Sequence, residues 1–151
     1  MARTAGERPL TCRDIMHEGV RCIGAHESLF QAAKLMRELN VGSLPICGDD
    51  NRLKGLVTDR DIVVECVATG RDPASVEAGA LGGALHWIDA DANAAEALET
   101  MEIHRIKRLP VIDVADGHRL IGMISESELA KNLTDEQIAE FAGRVYAAAA
   151  A

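Results

Sequence analysis

The feature that most limits how this chain folds is an internal duplication. Ile23 aligns with Ile88 at an offset of 65 residues, which places Ser28 on Asn93, Met36 on Met101 and Val41 on Ile106. The same offset lays Leu44, Pro45 and Ile46 on Leu109, Pro110 and Val111. After a two-residue insertion the offset is 67, and Leu53, Gly55, Leu56 and Val57 meet Leu120, Gly122, Met123 and Ile124. Thr58 then falls on Ser125 and Asp61 on Glu128. Residue type and order both match, so one structural unit is used twice.

Each copy reads the same way locally. Ser28 with Gln31, and Asn93 with Glu96, have the spacing of a helix capping box. Behind the first cap, Leu29, Ala33, Met36 and Leu39 recur at helical spacing; behind the second come Ala94, Ala97, Leu98 and Met101. These stripes are core faces. A short apolar run containing Pro45 follows, and a proline suits a strand start or edge because it has no N–H to donate. A polar turn, Gly48 to Asn51, leads into a second strand from Leu53 to Val57; in the second copy Asp116-Gly117 signals the hairpin. Thr58 with Asp61, and Ser125 with Glu128, then cap a closing helix. The order in each copy is strand, helix, strand, strand, helix, and the fold class is α/β (α+β).

The organisation expected is a first module over residues 9–68, a linker over 69–80, a second module over 81–133 and a C-terminal helix and tail over 134–151. Thr11 to Asp14 cap a short helix ahead of the first copy. The linker is marked by Gly70, Asp72-Pro73 and the Ala/Gly-rich stretch from Ala78 to Ala84. Thr134 and Gln137 cap the last helix, with Ile138, Phe141, Val145 and Tyr146 on one face, to pack on the body or on a second subunit. The alanine tail after Tyr146 carries no chemistry and frays.

Composition excludes several functions. The 151 residues are 48% hydrophobic but 3% aromatic, so the core is aliphatic. A formal net charge of −8 disfavours the phosphate backbone of nucleic acid, without forbidding a local basic pocket. No apolar run approaches the roughly 20 residues of a membrane span, and the residues up to Leu10 do not read as a secretion signal. A cytoplasmic location is expected. Cys12, Cys22, Cys47 and Cys66 lack metal-ligand spacing, and in that compartment they are expected to be reduced thiols at or near the core. No metal site, P-loop, dinucleotide fingerprint or nucleophile motif is present, so no catalytic residue is assigned and the chain does not read as an enzyme.

The ordered string Asp14-Ile15-Met16, an apolar helix, Leu-Pro-Ile/Val, a turn, then Gly, two apolar residues and Thr/Ser with an acid three positions on resembles the cystathionine β-synthase (CBS) domain motif. It occurs twice, over nearly all of residues 9 to 133. The resemblance implies two modules packed as a pseudo-twofold pair, with clefts for adenosine-containing ligands: AMP, ADP, ATP, S-adenosylmethionine or NAD. No cofactor is required. It also implies a homodimer, and a regulatory function in which a nucleotide bound between the repeats signals to an effector protein in trans, as in stress responses.

The resemblance carries a ribose role onto Thr58 and Asp61, where an ionised carboxylate accepts both protons of a cis-diol. The same pair reads equally as a helix cap. Ser125 and Glu128 match them in the second copy, with a carboxylate one methylene longer. Lys107 and Arg108 directly precede Leu109-Pro110, as a basic pair does in a nucleotide-binding member of the family, and are implied as phosphate contacts; the alternative is a solvated basic patch. Arg60 adds charge at the first copy, where Gly42 and Ser43 replace the basic pair. Ile23, Leu44, Pro45 and Ile46 are the expected walls of an adenine slot. The expectation is one asymmetric site, with ribose residues from the first copy and phosphate residues from the second. A ligand-free dimerisation or protein-interaction module is the reading from a different class.

Overall fold

A computed structural model of the chain describes residues 8–81 and 85–146. The chain divides into two compact units, Val20–Leu85 and Met1–Gly19 with His86–Ala151.

The first unit holds a three-stranded sheet in the order β2-β3-β4, with β2 at Ile23–Gly24, β3 at Ser43–Cys47 and β4 at Leu53–Thr58. Helix α2, Leu29–Leu39, starts where the Ser28 side chain accepts a hydrogen bond from the Gln31 N–H. It ends at Asn40, whose left-handed φ of 54° stops the helix. Its apolar stripe, Leu29, Ala32, Leu35 and Met36, is buried against Leu44, Ile46 and Val57 of the sheet. Strand β3 is central, although Pro45 favoured an edge. The two-residue β2 pairs only with Ile46 and Cys47, so the donor that Pro45 lacks falls outside that ladder. Helix α3, Asp59–Asp61, continues through a π-helical segment, Ile62–Cys66, and a 3-10 turn, Val67–Thr69.

The expected linker differs in the structure. Residues 73–80 belong to the packed body of this unit: Val76 and Ala78 join its core, Leu29 N–H bonds Val76 O at 2.8 Å, and Ala78 N–H bonds Glu27 O at 2.7 Å. Composition hides this, because small residues pack against backbone as readily as they form loops. Residues 82–84 of that stretch lie outside the described residues.

The second unit repeats the plan. Strand β5 (Ile88–Asp89) is parallel to β6 (Arg108–Asp113), which is antiparallel to β7 (Arg119–Ser125). Helix α4, Ala94–His104, ends at Arg105 with the same left-handed φ of 54° as Asn40. Helix α5 spans Glu126–Asn132. Even the irregularity is repeated: register slips between Ile46 and Cys47 and between Val111 and Ile112.

This unit also takes in both chain ends. Helix α1, Cys12–Ile15, was expected ahead of the first copy, yet it docks on the second. Its Cys12 and Arg13 N–H groups donate to Ala92 O at 2.8 Å and Ala90 O at 2.9 Å. Arg13 reaches Asp113 at 3.1 Å and Asp91 at 3.3 Å. Strand β1, His17–Glu18, adds to β7. The Arg8 guanidinium, with the Thr11 N–H, holds the exposed Asp14 carboxyl well below the usual carboxylate range. Sequence order suggested the opposite attachment because these contacts bridge about 80 to 105 residues and leave no local pattern. Helix α6, Asp135–Tyr146, is capped by Thr134 and Gln137 as expected. It packs on α4 within its own unit, burying Phe141 and Val145 in the core. The tail after Tyr146 lies outside the described residues.

The cysteine expectation needs correcting. Cys22 and Cys47 form a disulfide, with their Cα atoms 5.7 Å apart. The parallel register of Gly24 with Cys47 brings Cys22, two residues before Gly24, beside the end of β3. The pair is separated by 25 residues, so spacing did not reveal it. Cys12 and Cys66 are free and buried, as expected. Burial first, and then the charges of Glu96 and Asp89, push the Cys12 thiol up to about 12. A thiol so far above neutral pH presents almost no thiolate. Iodoacetamide at pH 8 is therefore expected to leave Cys12 unmodified in the native protein and to modify it after denaturation. Peptide mass spectrometry checks this; native labelling at Cys12 would contradict the burial.

Candidate functional site

Each unit builds the same corner, where the central strand begins and the outer strand runs into its helix. Antiparallel pairing puts Ser43 opposite Thr58 in the first unit and Arg108 opposite Ser125 in the second. Sequence comparison matched Arg108 to Ser43 but did not place either beside its Thr or Ser partner, since that neighbour is set by hairpin register.

At the first corner Thr58 and Asp61 form a reciprocal cap. The Asp61 N–H donates to Thr58 Oγ1 at 3.1 Å, and the Thr58 N–H donates to Asp61 Oδ2 at 3.0 Å. The cap engages one of the two carboxylate oxygens. The Thr58 hydroxyl serves it only as an acceptor, so its proton remains available. Both side chains are partly exposed. Arg60 is exposed on the same turn. Ser43, which sequence reasoning did not assign, is buried at 8% exposure.

At the second corner the pair is turned inward. The Ser125 N–H donates to Glu128 Oε2 at 2.8 Å, and the Ser125 hydroxyl donates to the same oxygen. Glu128 is 8% exposed. The extra methylene lets the carboxylate fold back onto its own cap. Lys107 is exposed and Arg108 partly exposed at the start of β6, so this corner is the more cationic of the two.

Tyr146 of α6 stands at this second corner. Its ring centroid is 4.3 Å from Lys107 Nζ, and its hydroxyl donates to Glu126 Oε1. Glu126 raises the Tyr146 ionisation above its ordinary value, against an opposing pull from Arg108. Sequence reasoning placed Tyr146 only on a packing face. The signal available was its being the single tyrosine of the chain at the end of an amphipathic helix.

The residues expected as adenine walls belong to the core of the first unit. Ile23, Leu44 and Ile46 are core residues at 2% exposure or less, and Pro45 is fully buried. Their side chains serve packing. A cavity of about 180 Å³ opens beside the disulfide and α2, lined among others by Arg21, Cys22, Ile23, Gln31 and Lys34. It is smaller than the several hundred Å³ usual for a drug-sized ligand. Among the described residues, no three His, Cys, Asp or Glu side chains converge as a metal ion would need. His86 and His104 stack as a pair, with ring centroids 3.8 Å apart.

Comparison with known proteins shows the family and the fold. A family model described as CBS domain matches residues 12–67 and 84–135. Hypoxic response protein 1 of Mycobacterium tuberculosis is 47% identical over 132 residues, covering 87% of this chain and 90% of that protein. A crystal structure of Hypoxic Response Protein I with two coordinated zinc ions superposes with a TM-score of 0.75 at 48% identity, covering 83% of this chain and 100% of that one. A CBS domain protein from Pyrobaculum aerophilum complexed with AMP superposes with a TM-score of 0.74 at 18% identity, covering 88% and 98%. That last similarity concerns the fold.

Proposed function

This chain belongs to the CBS-domain family, and from that premise we propose that it is a regulatory, non-catalytic module that binds an adenosine-containing nucleotide and signals to a partner protein in trans. CBS-pair proteins are regulatory, and some structural neighbours bind AMP. The observation that carries the reading is the first corner. Thr58 and Asp61 cap their helix with one carboxylate oxygen and leave a hydroxyl proton and a second oxygen for a ribose diol. Helix cap and ribose contact are thus compatible roles. In this reading Lys107 and Arg108 of the second corner contact phosphate, while its Ser125 and Glu128 satisfy each other and are the poorer ribose pair. The candidates are AMP, ADP, ATP, S-adenosylmethionine and NAD. A ligand biases a regulatory equilibrium only by its differential affinity for the two states, so the output depends on what the partner recognises.

Thermal unfolding with each candidate tests the reading. At a hundred times Kd a ligand adds about 2.7 kcal/mol of stability. One of the five is expected to raise the midpoint of the wild type, and Asp61→Ala is expected to abolish that rise while costing the unliganded protein no more stability than the loss of a cap, about 1 kcal/mol. No shift with any nucleotide at millimolar concentration would refute nucleotide sensing. A shift that survives Asp61→Ala would move the site.

A ligand-free dimerisation or interaction module is the second reading. It is favoured by the apolar side chains that the first unit leaves exposed: Phe30 at 51%, Val63 at 58% and Val67 at 53%. A homodimer burying these residues would be disrupted by Val63→Asp, as read by light scattering. A cytoplasmic location stays part of the proposal. Among the described residues no helix is long and apolar enough to cross a membrane.

A further inference from the structure

The C-terminal helix does more than complete a core. Phe141 and Val145 anchor α6 in the second unit at 4% and 5% exposure. Arg144 ties it to Glu102 of α4 at 3.1 Å and to Glu140 of its own previous turn at 2.6 Å. These contacts fix where the next residue points. Tyr146 lies over the Lys107 ammonium, and its hydroxyl is bonded to Glu126 at the first position of α5. Arg108, the other cation of the corner, is close enough to act on the Tyr146 ionisation. Tyr146 itself is 41% exposed, so hydrophobic burial does not account for its placement.

An ammonium facing an aromatic ring is partly satisfied by the ring's quadrupole. A phosphate oxygen is a better partner for the same cation, and the two cannot occupy one face of it together. Glu126 matters as well. Its carboxylate repels an incoming anion, and the phenol proton occupies one of its oxygens. The groups facing Tyr146 are therefore Lys107, just before β6, Arg108 from β6 and Glu126 from α5, with Arg144 on its own helix engaged by the two glutamates.

We infer that α6 is a built-in competitor at the second corner: Tyr146 holds Lys107 and Glu126 in the free protein, and a phosphate-bearing ligand engages Lys107 and Arg108 by displacing it. The inference deepens the assignment of Lys107 and Arg108 to phosphate, on which it rests. It gives the corner a threshold, since ligand must outcompete a group held at fixed distance by the helix. It also gives the binding event a mechanical output. Release of Tyr146 frees the end of α6, an element of this unit that touches the corner and belongs to no repeat.

Inorganic pyrophosphate is the probe, because it carries phosphate charge and no ribose. Its binding to the full chain is measured by calorimetry for wild type, Tyr146→Phe, Tyr146→Ala and the double variant Lys107→Ala with Tyr146→Ala. Removing the competing ring is expected to tighten binding about three- to tenfold. Tyr146→Phe, which keeps the ring and loses the bond to Glu126, is expected to fall between. The double variant is expected to lose the gain. Tyr146 is also the single tyrosine of the chain, so absorbance near 295 nm reports its ionisation directly. That ionisation is expected at higher pH in wild type than in Glu126→Gln.

Equal or weaker pyrophosphate binding by Tyr146→Ala would overturn the inference. So would the absence of pyrophosphate binding at millimolar concentration in every variant, or a tyrosine titration indifferent to Glu126→Gln. Failure of the ribose reading is separable. Pyrophosphate carries no ribose, so its binding does not test the diol contact at Thr58 and Asp61, and failure at Tyr146 leaves any Asp61-dependent nucleotide binding standing.

Discussion

Breaking the disulfide between Cys22 and Cys47, by reductant or by Cys22→Ala with Cys47→Ala, is expected to destabilise the first-repeat unit by about 3 kcal/mol. The estimate follows from chain entropy: a cross-link between residues 25 apart restricts the unfolded chain by that order. Urea unfolding of the oxidised and reduced protein measures it, and hydrogen exchange assigns the loss to residues 20–81. Protection there should fall while that of the second-repeat unit, whose one cysteine, Cys12, is free, stays close to its oxidised value. An unchanged midpoint under reductant would mean that the register of β2 on β3 holds the unit without help. The same bond bears on location. Disulfides persist in oxidising surroundings and are rare in a reducing cytosol. Acid quenching and thiol trapping in cells, followed by mass spectrometry, will show which form the protein keeps.

The second large effect separates two phenylalanines. Phe141→Ala is expected to cost about 3–5 kcal/mol, because its ring is 4% exposed and joins Met101, Leu109 and Leu129 in one core. Phe30→Ala is expected to change stability by about 0.5 kcal/mol or less, because its ring is 51% exposed at the start of α2. Chemical denaturation of both variants gives the comparison. A small effect at Phe141 would show that α6 rests loosely on its unit, and would weaken the competitor role of Tyr146 with it. Equal effects at both positions would instead place Phe30 against a partner chain, as the dimerisation reading expects.

Much of the fold was legible in the chain because its determinants are local. Capping pairs at Thr11, Ser28, Asn93, Thr58, Ser125 and Thr134 mark helix starts through side-chain bonds three residues long, and each is present in the structure. Leu44-Pro45-Ile46 and Leu109-Pro110-Val111 mark strands through their apolar runs, and both became the central strands of their sheets. The candidate corners were legible to the same extent: Thr58 with Asp61 and Ser125 with Glu128 are near neighbours in sequence. What they do with their hydrogen bonds was not. Whether a carboxylate keeps an oxygen free or folds onto its own cap depends on the length of Asp against Glu and on local burial.

The duplication, the helix and strand order, the caps and the family motif were all determined by sequence alone. They rest on interactions within a few residues or on a pattern repeated at a fixed offset. Four decisions belonged to the tertiary structure: that α1 and β1 join the second repeat, that Val76 and Ala78 are core, that Cys22 meets Cys47, and that Tyr146 meets Lys107 and Glu126. Each joins residues from about 20 to about 105 positions apart. Such contacts form only after sheet register and helix packing have closed the chain between them, and no local periodicity encodes that closure.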